Sequence, residues 1–288
     1  MNSCECCSPP NMTREIQRPR GMSLSPEHPG ERQDACVVAA MAKDYPDNAI
    51  IPCHAHRRSQ LVFASTGVMT VTTRRGTWVV PPQRALWMPA GVEHEIRASG
   101  VLHMRTLYFE PGTDIERTLA RDCSVIEVSP LIRELILRAT SFDGEPARQA
   151  RLERLVAVLL DEVQNISVLS LHLPVPSDPR LARICERLIA DPAIDLTLEA
   201  WGRNVGASTR TLTRQFLADT GMTFTQWRQR ARILASLPRL ARGETIISVA
   251  LGLGYDSPSA FGAMFKRTLG ATPASYFQGS SERDKLVD

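Results

Sequence analysis

The spacing of apolar residues changes once along this chain, and that change limits the fold more than any other feature. From Ala35 to Phe109 the sequence breaks into short β-rich runs, "QLVFAS", "GVMTVTT", "TWVVPP", "RALWMP", "EHEIRAS" and "LHMRTLYF", separated by Gly67, "RRG" and "PAG". Runs of that length and spacing predict a small antiparallel barrel or sandwich. In "ARLERLVAVLLDEVQ" the period becomes helical: Leu152, Leu155, Val156, Leu159 and Val163 form a stripe bordered by Arg151, Glu153, Arg154 and Asp161. Such a stripe either packs on the barrel or makes a dimer contact. From Arg180 to Phe277 the chain reads as helices, with Asp195, Ser208, Ser257 and Thr272 at caps or turns and Gly206, Gly221, Gly243 and Gly270 at stops. The expected class is therefore α+β, an antiparallel β-barrel with attached helices followed by an all-α domain.

A chain of 288 residues is long enough for two separate cores. The segment "LHLPVPSDP", residues 171–179, carries three prolines and reads as a semi-rigid linker between them. The expected division is a tail at 1–34, a barrel at 35–112, a helical region at 113–170, the linker at 171–179, a helical domain at 180–277 and a tail at 278–288. Charge is uneven across that division. Residues 178–277 hold 13 basic and 8 acidic side chains, whereas residues 1–177 are close to neutral, so a polyanionic partner would meet the C-terminal third.

No run of eighteen apolar residues and no signal-like N-terminus occurs, which predicts a cytoplasmic protein without a membrane span. Cys36, Cys53, Cys123 and Cys185 are scattered singly, as reduced thiols are, and no structural disulfide is expected. Cys4, Cys6 and Cys7 have no second ligand pair and fall in the Pro/Ser-rich tail, upstream of Met22, a second candidate start.

"LTLEAWGRNVGASTRTLTRQFLADTG" spells a helix, a short turn at "VGAS", and a second helix that Ser208 can cap. In the second helix Leu212 and Phe216 face one way, and Arg210 and Arg214 project from the other. Two guanidinium forks on one exposed face suit guanine edges in a major groove. The pattern recurs in "ISVALGLGYDSPSAFGAMFKRTLGATPASYF", with Ser257 as cap, Pro258 at the first helical position and Phe261 and Phe265 four apart. Between them "MTFTQWRQRARILASLPRLARG" supplies a rod about 30 Å long, close to one DNA turn of about 34 Å.

Residues 180–277 resemble the DNA-binding domain of the AraC/XylS family of bacterial transcription regulators, and "ALGLGYDSPSAFGAMFKRTLGATPASYF" matches its C-terminal signature along its length. The resemblance implies that Arg210 and Arg214 read bases, within a double-stranded DNA face of Ser208, Thr209, Arg210, Thr213, Arg214, Ser257, Ser259, Lys266 and Arg267. Two positions depart from the pattern. Ala263 stands where an Arg is common, which shifts the second unit toward phosphate contacts, and Pro238 falls inside the connecting helix, where it is expected to introduce a kink.

His54-x-His56, Gln60, Gly67 and later "MPAGVEH", ending at His94, resemble the two motifs of the cupin barrel. In cupins two His, a Glu and a later His converge on one metal; here Gln60 occupies the Glu position, which removes the anionic ligand. Three roles stay open for His54, His56 and His94: lining an effector pocket together with Gln60, Trp78 and Trp87, holding a divalent transition metal, or hydrogen bonding inside the barrel with no ligand. Trp78 and Trp87, with Phe63 and Met69, face such a pocket or the core.

The function expected is a sequence-specific transcription regulator, not an enzyme, controlled by a small effector or a metal. RNA polymerase and a second copy of the chain are its further candidate partners. The alternatives are a metal-dependent cupin dioxygenase or isomerase fused to a DNA-binding domain, and a DNA-binding protein whose barrel only dimerises. Gln60 argues against the enzyme, as does the lack of a nameable carboxylate or Tyr beside His94 to accept a proton.

Overall fold

The computed structural model describes residues 38–112, 119, 122–141, 146–163, 168–169 and 171–281. The expected tail at 1–34, with its cysteines and Met22, and Cys36 lie outside those residues, as do 282–288 of the C-terminal tail. Chain contacts divide the molecule into two compact units, one of residues 1–74 and 80–169, the other of residues 75–79 and 170–288.

The first unit is an antiparallel sheet with two helices. Its strands are β1 (Val38–Tyr45), β2 (Ile50–His54), β3 (Ser59–Thr73), β5 (Arg84–Met88), β6 (His94–Phe109), β7 (Ser124–Glu127) and β8 (Val168–Leu169). Hydrogen bonding runs β1-β6-β3-β5-β7-β8, with β2 also on β6. That path has two ends, so among the described residues the hydrogen-bonded ladder of this antiparallel sheet does not close on itself.

Four of the expected short runs are in fact two long strands. "QLVFAS" and "GVMTVTT" are both β3, and "EHEIRAS" and "LHMRTLYF" are both β6. The glycine between the first pair does not turn the chain. The β3–β6 register shifts between Ala64, Thr66 and Val68, and Gly67 sits in that bulge at φ +73°, where a Cβ would stand 2.6 Å from the Val101 carbonyl oxygen. A bulge bends a strand and keeps it continuous.

Helices α1 (Pro130–Thr140) and α2 (Pro146–Val163) close this core. The stripe of α2 is buried: Leu152, Val156, Leu159 and Val163 pack with Leu61, Phe63, Trp87, Phe109 and Ile136 in one cluster. Burial of such side chains stabilises by about 1.5–3 kcal/mol each, so packing rather than dimer contact accounts for these four; Val158, on the opposite side, is exposed.

The second unit holds β4 (Gly76–Val80) up to Val79, β9 (His172–Pro174) and helices α3 (Pro179–Ala190), α4 (Leu198–Val205), α5 (Thr209–Thr220), α6 (Phe224–Ala241), α7 (Ile246–Gly252), α8 (Pro258–Leu269) and α9 (Pro273–Ser281). Strand β4 falls here because it pairs with β9, Gly76 opposite Pro174 and Trp78 opposite His172. The proline-rich segment 171–179 therefore contains a strand. Pro174 has no donor, but its carbonyl accepts from the Trp227 indole at 2.9 Å, and a short edge strand tolerates proline. Asp178 caps α3.

Ser208 and Ser257 cap α5 and α8 by accepting from the Thr211 and Ala260 amides. Asp195 does not cap α4: Thr197 does, and Asp195 pairs with Arg228 at 2.9 Å instead. Helix α6 is continuous through Pro238, which lies in its last turn. No helix of the described residues is long and apolar enough to cross a membrane.

Candidate functional site

The first unit brings together His54, His56, Gln60 and His94. His54 ends β2 and pairs with His94 at the start of β6, after a register shift that follows Ile51. His56 lies in the turn before β3, and its carbonyl accepts from the Gly91 amide at 2.8 Å, which holds the "MPAGVEH" loop against it. Just beyond, Arg58 donates from Nε to Glu110 at 2.6 Å and anchors the stretch to the far end of β6. One ligand nitrogen from each of the three imidazoles lies within 4.8 Å of the other two.

Two of the rings are held alike. His54 Nδ1 donates to the Pro52 carbonyl at 2.7 Å and His94 Nδ1 to the Val92 carbonyl at 2.8 Å, in each case two residues back along the chain. This orientation leaves Nε2 as the nitrogen with the lone pair, the arrangement that metal-ligating histidines use. His94 Nε2 is buried and has no hydrogen-bond partner among the described residues. Burial and the neighbouring His54 push the His94 pKa down to about 4, against the opposing effect of the Val92 carbonyl, so the ring is neutral at physiological pH.

The pocket is small. Its free volume is about 10 Å³, far below the roughly 300–1,000 Å³ of sites that enclose drug-sized ligands. Met41, Val62, Ile96, Met104, Thr106 and Tyr108 line the rest. Tyr108 corrects the sequence reading, which found no tyrosine for this site: its ring centroid is 5.5 Å from that of His56, and its hydroxyl donates to the Met41 sulfur at 3.9 Å. The alternation of Met104, Thr106 and Tyr108 along β6 was the signal for it. Trp78 and Trp87 do not line the pocket. Trp87 is in the core cluster, 6.1 Å from Phe109, and Trp78 stacks on His172 at 4.2 Å in the second unit.

The second unit presents two exposed helix faces. On α5, Thr209, Arg210, Thr213 and Arg214 are exposed while Leu212 and Phe216 are fully buried. The helix turns because Gly206 ends α4 in the left-handed conformation and Ser208 starts α5. On α8, Ser259, Ala263, Lys266 and Arg267 are exposed over buried Phe261 and Phe265. Leu217, half exposed and four residues after Thr213, extends the α5 face and was not anticipated, because its neighbour Phe216 takes the core position.

A helix-turn-helix domain family matches residues 201–279, and the AraC-like ligand binding domain family matches residues 36–157. The HTH-type transcriptional regulator NimR of Escherichia coli (strain K12) is 36% identical over 246 residues, 85% of this chain and 89% of NimR. The chain belongs to the AraC family. It is a transcription regulator with a DNA-binding helix-turn-helix region and an effector-binding domain, and the two exposed helix faces and the histidine pocket fall within the two matched regions of this AraC-family chain. A more partial relative is the HTH-type transcriptional regulator RipA of Corynebacterium glutamicum, 34% identical over 106 residues, 37% of this chain and 32% of RipA. Among solved structures, ToxT from Vibrio cholerae covers 83% of this chain and 97% of its own at 11% identity and a TM-score of 0.36, a likeness too slight to argue from.

Proposed function

We propose that this AraC-family regulator responds to a divalent transition-metal ion bound by His54, His56 and His94, and reads its operator through Arg210 and Arg214. The observation that carries the metal reading is the convergence of three imidazoles in a pocket with little room for an organic effector. Nitrogens bound at about 2.1 Å to a tetrahedral ion stand about 3.4 Å apart, so separations within 4.8 Å require only small ring movements. The set fits a borderline ion that accepts neutral nitrogen ligands, with Gln60 beside it as a weak oxygen donor. Such an ion shifts the regulator only by binding one arrangement of the chain better than another.

The same reading assigns sensing to residues 35–112 and operator binding to residues 180–277, in a cytoplasmic homodimer that works with RNA polymerase. Ser208, Thr209, Thr213, Ser257, Ser259, Lys266 and Arg267 then position the duplex around the two base-reading arginines. Catalysis is not part of it: the pocket lining holds no carboxylate among the described residues, and Gln60 cannot take a proton as a Glu would.

The test is elemental analysis of protein purified without chelator or affinity metal. A stoichiometric transition metal, lost in the His54/His56/His94 triple alanine variant while the fold is kept, is the expected result. A folded, metal-free protein that metal ions do not bind would overturn the proposal and direct the search to a small organic ligand.

A further inference from the structure

Helix α6 carries an arginine that is neither exposed to solvent nor paired with a buried acid. Arg232 is 9% exposed. Its Nε donates to the Pro192 carbonyl at 2.8 Å, and Nη2 to the Ala193 carbonyl at 3.4 Å and Asp195 Oδ1 at 3.5 Å, all in the loop that leads into the first helix-turn-helix unit. Its Nη1 donates to the Gly254 carbonyl at 3.4 Å, in the turn of the second unit. The guanidinium also lies 5.7 Å from the centroid of the Tyr255 ring, which in turn meets Phe261 of α8 edge-on at 5.4 Å.

The two loops are in close contact at this point. Gly254 has φ +75°, and a Cβ there would stand 3.0 Å from the Ala193 carbonyl oxygen and 3.2 Å from Arg232 Nη2. One planar fork thus satisfies carbonyls from both loops at once, which a lysine's single ammonium cannot reproduce with the same geometry. Arg228, one turn earlier on α6, makes a useful contrast: it donates to the Leu196 carbonyl at 3.3 Å and pairs with Asp195, both on the first unit's side.

We infer that Arg232 is a positioning residue that fixes the second helix-turn-helix unit relative to the first, and so sets the spacing between the two DNA half-sites this chain accepts. The inference rests on the reading that α5 and α8 both meet the duplex. Inserting one base pair between half-sites moves the second by about 3.4 Å and turns it by about 35°. A clamped pair of units cannot follow that movement, whereas an unclamped pair can.

The experiment uses the full chain and a duplex selected by the wild-type protein from a randomised library, with versions carrying one base pair inserted or deleted between the halves. Wild type is expected to lose roughly tenfold or more in affinity on either change, the worth of one good base contact. Arg232→Lys is expected to bind the altered duplexes within about threefold of the original, with unchanged affinity for random DNA and an intact thermal transition. Arg228→Ala is expected to keep the wild-type spacing penalty.

Retention of the full penalty in Arg232→Lys overturns the inference, and so does an equal relaxation in Arg228→Ala, which would point to general loosening. If Arg232→Lys does not fold, Arg232→Gln takes its place; failure of both makes Arg232 a core residue and also overturns the inference. A wild-type protein indifferent to spacing would instead refute the underlying reading that both units bind DNA.

Discussion

Asp219, in the last turn of α5, holds the start of α3 by accepting from Ser177: one carboxylate oxygen takes the Ser177 amide at 2.9 Å and its hydroxyl at 2.8 Å. The same oxygen accepts from the Asp178 amide at 3.2 Å, and the other oxygen from Gln215 at 2.8 Å. A single side chain thereby joins the segment after β9 to the first helix-turn-helix unit.

Replacing Asp219 with Asn should therefore cost about 1.5–3 kcal/mol, the range for hydrogen bonds to a charged group, read as a lower midpoint in urea. Burial pushes the Asp219 carboxyl up, but the bonds from Ser177, Asp178 and Gln215 outweigh it and hold the pKa below the usual carboxylate value. A depressed folded pKa gives stability that is complete above about pH 4, the unfolded value, and is lost as pH falls through the lower folded value. Wild type and Asp219→Asn should accordingly converge in stability in acid. A difference that stays constant down to pH 2 would contradict this account.

At the proposed DNA face, Arg214→Ala should cost about 1–3 kcal/mol at the selected operator and little on random sequence, since a fork on a base edge is lost. Lys266→Ala should weaken binding to both and lower the salt slope by about 1. Titrations of both variants at several salt concentrations separate the two outcomes. Unchanged discrimination in Arg214→Ala would place base reading elsewhere.

The bulge at Gly67 makes a sharp prediction for the sheet. Gly67→Ala imposes a left-handed conformation on a residue with a Cβ and drives it into the Val101 carbonyl, at a cost of about 1–3 kcal/mol from backbone strain alone. Differential scanning calorimetry should show the loss, with the second unit's DNA affinity kept.

On α2, Leu159→Ala should destabilise by about 2–5 kcal/mol as a core truncation, while Val158→Ala should stay within about 0.5 kcal/mol as an exposed change. If sedimentation showed that Val158→Ala separates a dimer, the outer face of α2 would carry the subunit contact.

What could be read before the structure came from period and from resemblance. Helical spacing placed Leu212 and Phe216 inside and Arg210 and Arg214 outside, and the likeness of the segments around His54, His56 and His94 to the cupin motifs implied that those three converge. The misses have local causes. Alternation along a strand tells which residues share a face but not what covers it, so the choice between pocket and core stays open for Trp78 and Trp87 until the structure shows one stacked on His172 and the other filling the core. Gly67 looked like a turn because a bulge and a turn use the same residue. Three prolines hid β9, whose partner lies some ninety-five residues earlier in the chain, a pairing that no local pattern reports.

Of the arginines of α6, Arg228, Arg232 and Arg239 are engaged within the second unit, Arg239 with Glu244 at 2.7 Å. The exposed cations of α5 and α8 are Arg210, Arg214, Lys266 and Arg267. Under the proposed DNA reading, at about 0.9 counterions released per phosphate contact, Lys266 and Arg267 would add about −2 to the salt slope for each chain bound, and Arg210 and Arg214, where they meet bases, would add less. Ionic strength would then act on operator occupancy through α8 more than through α5.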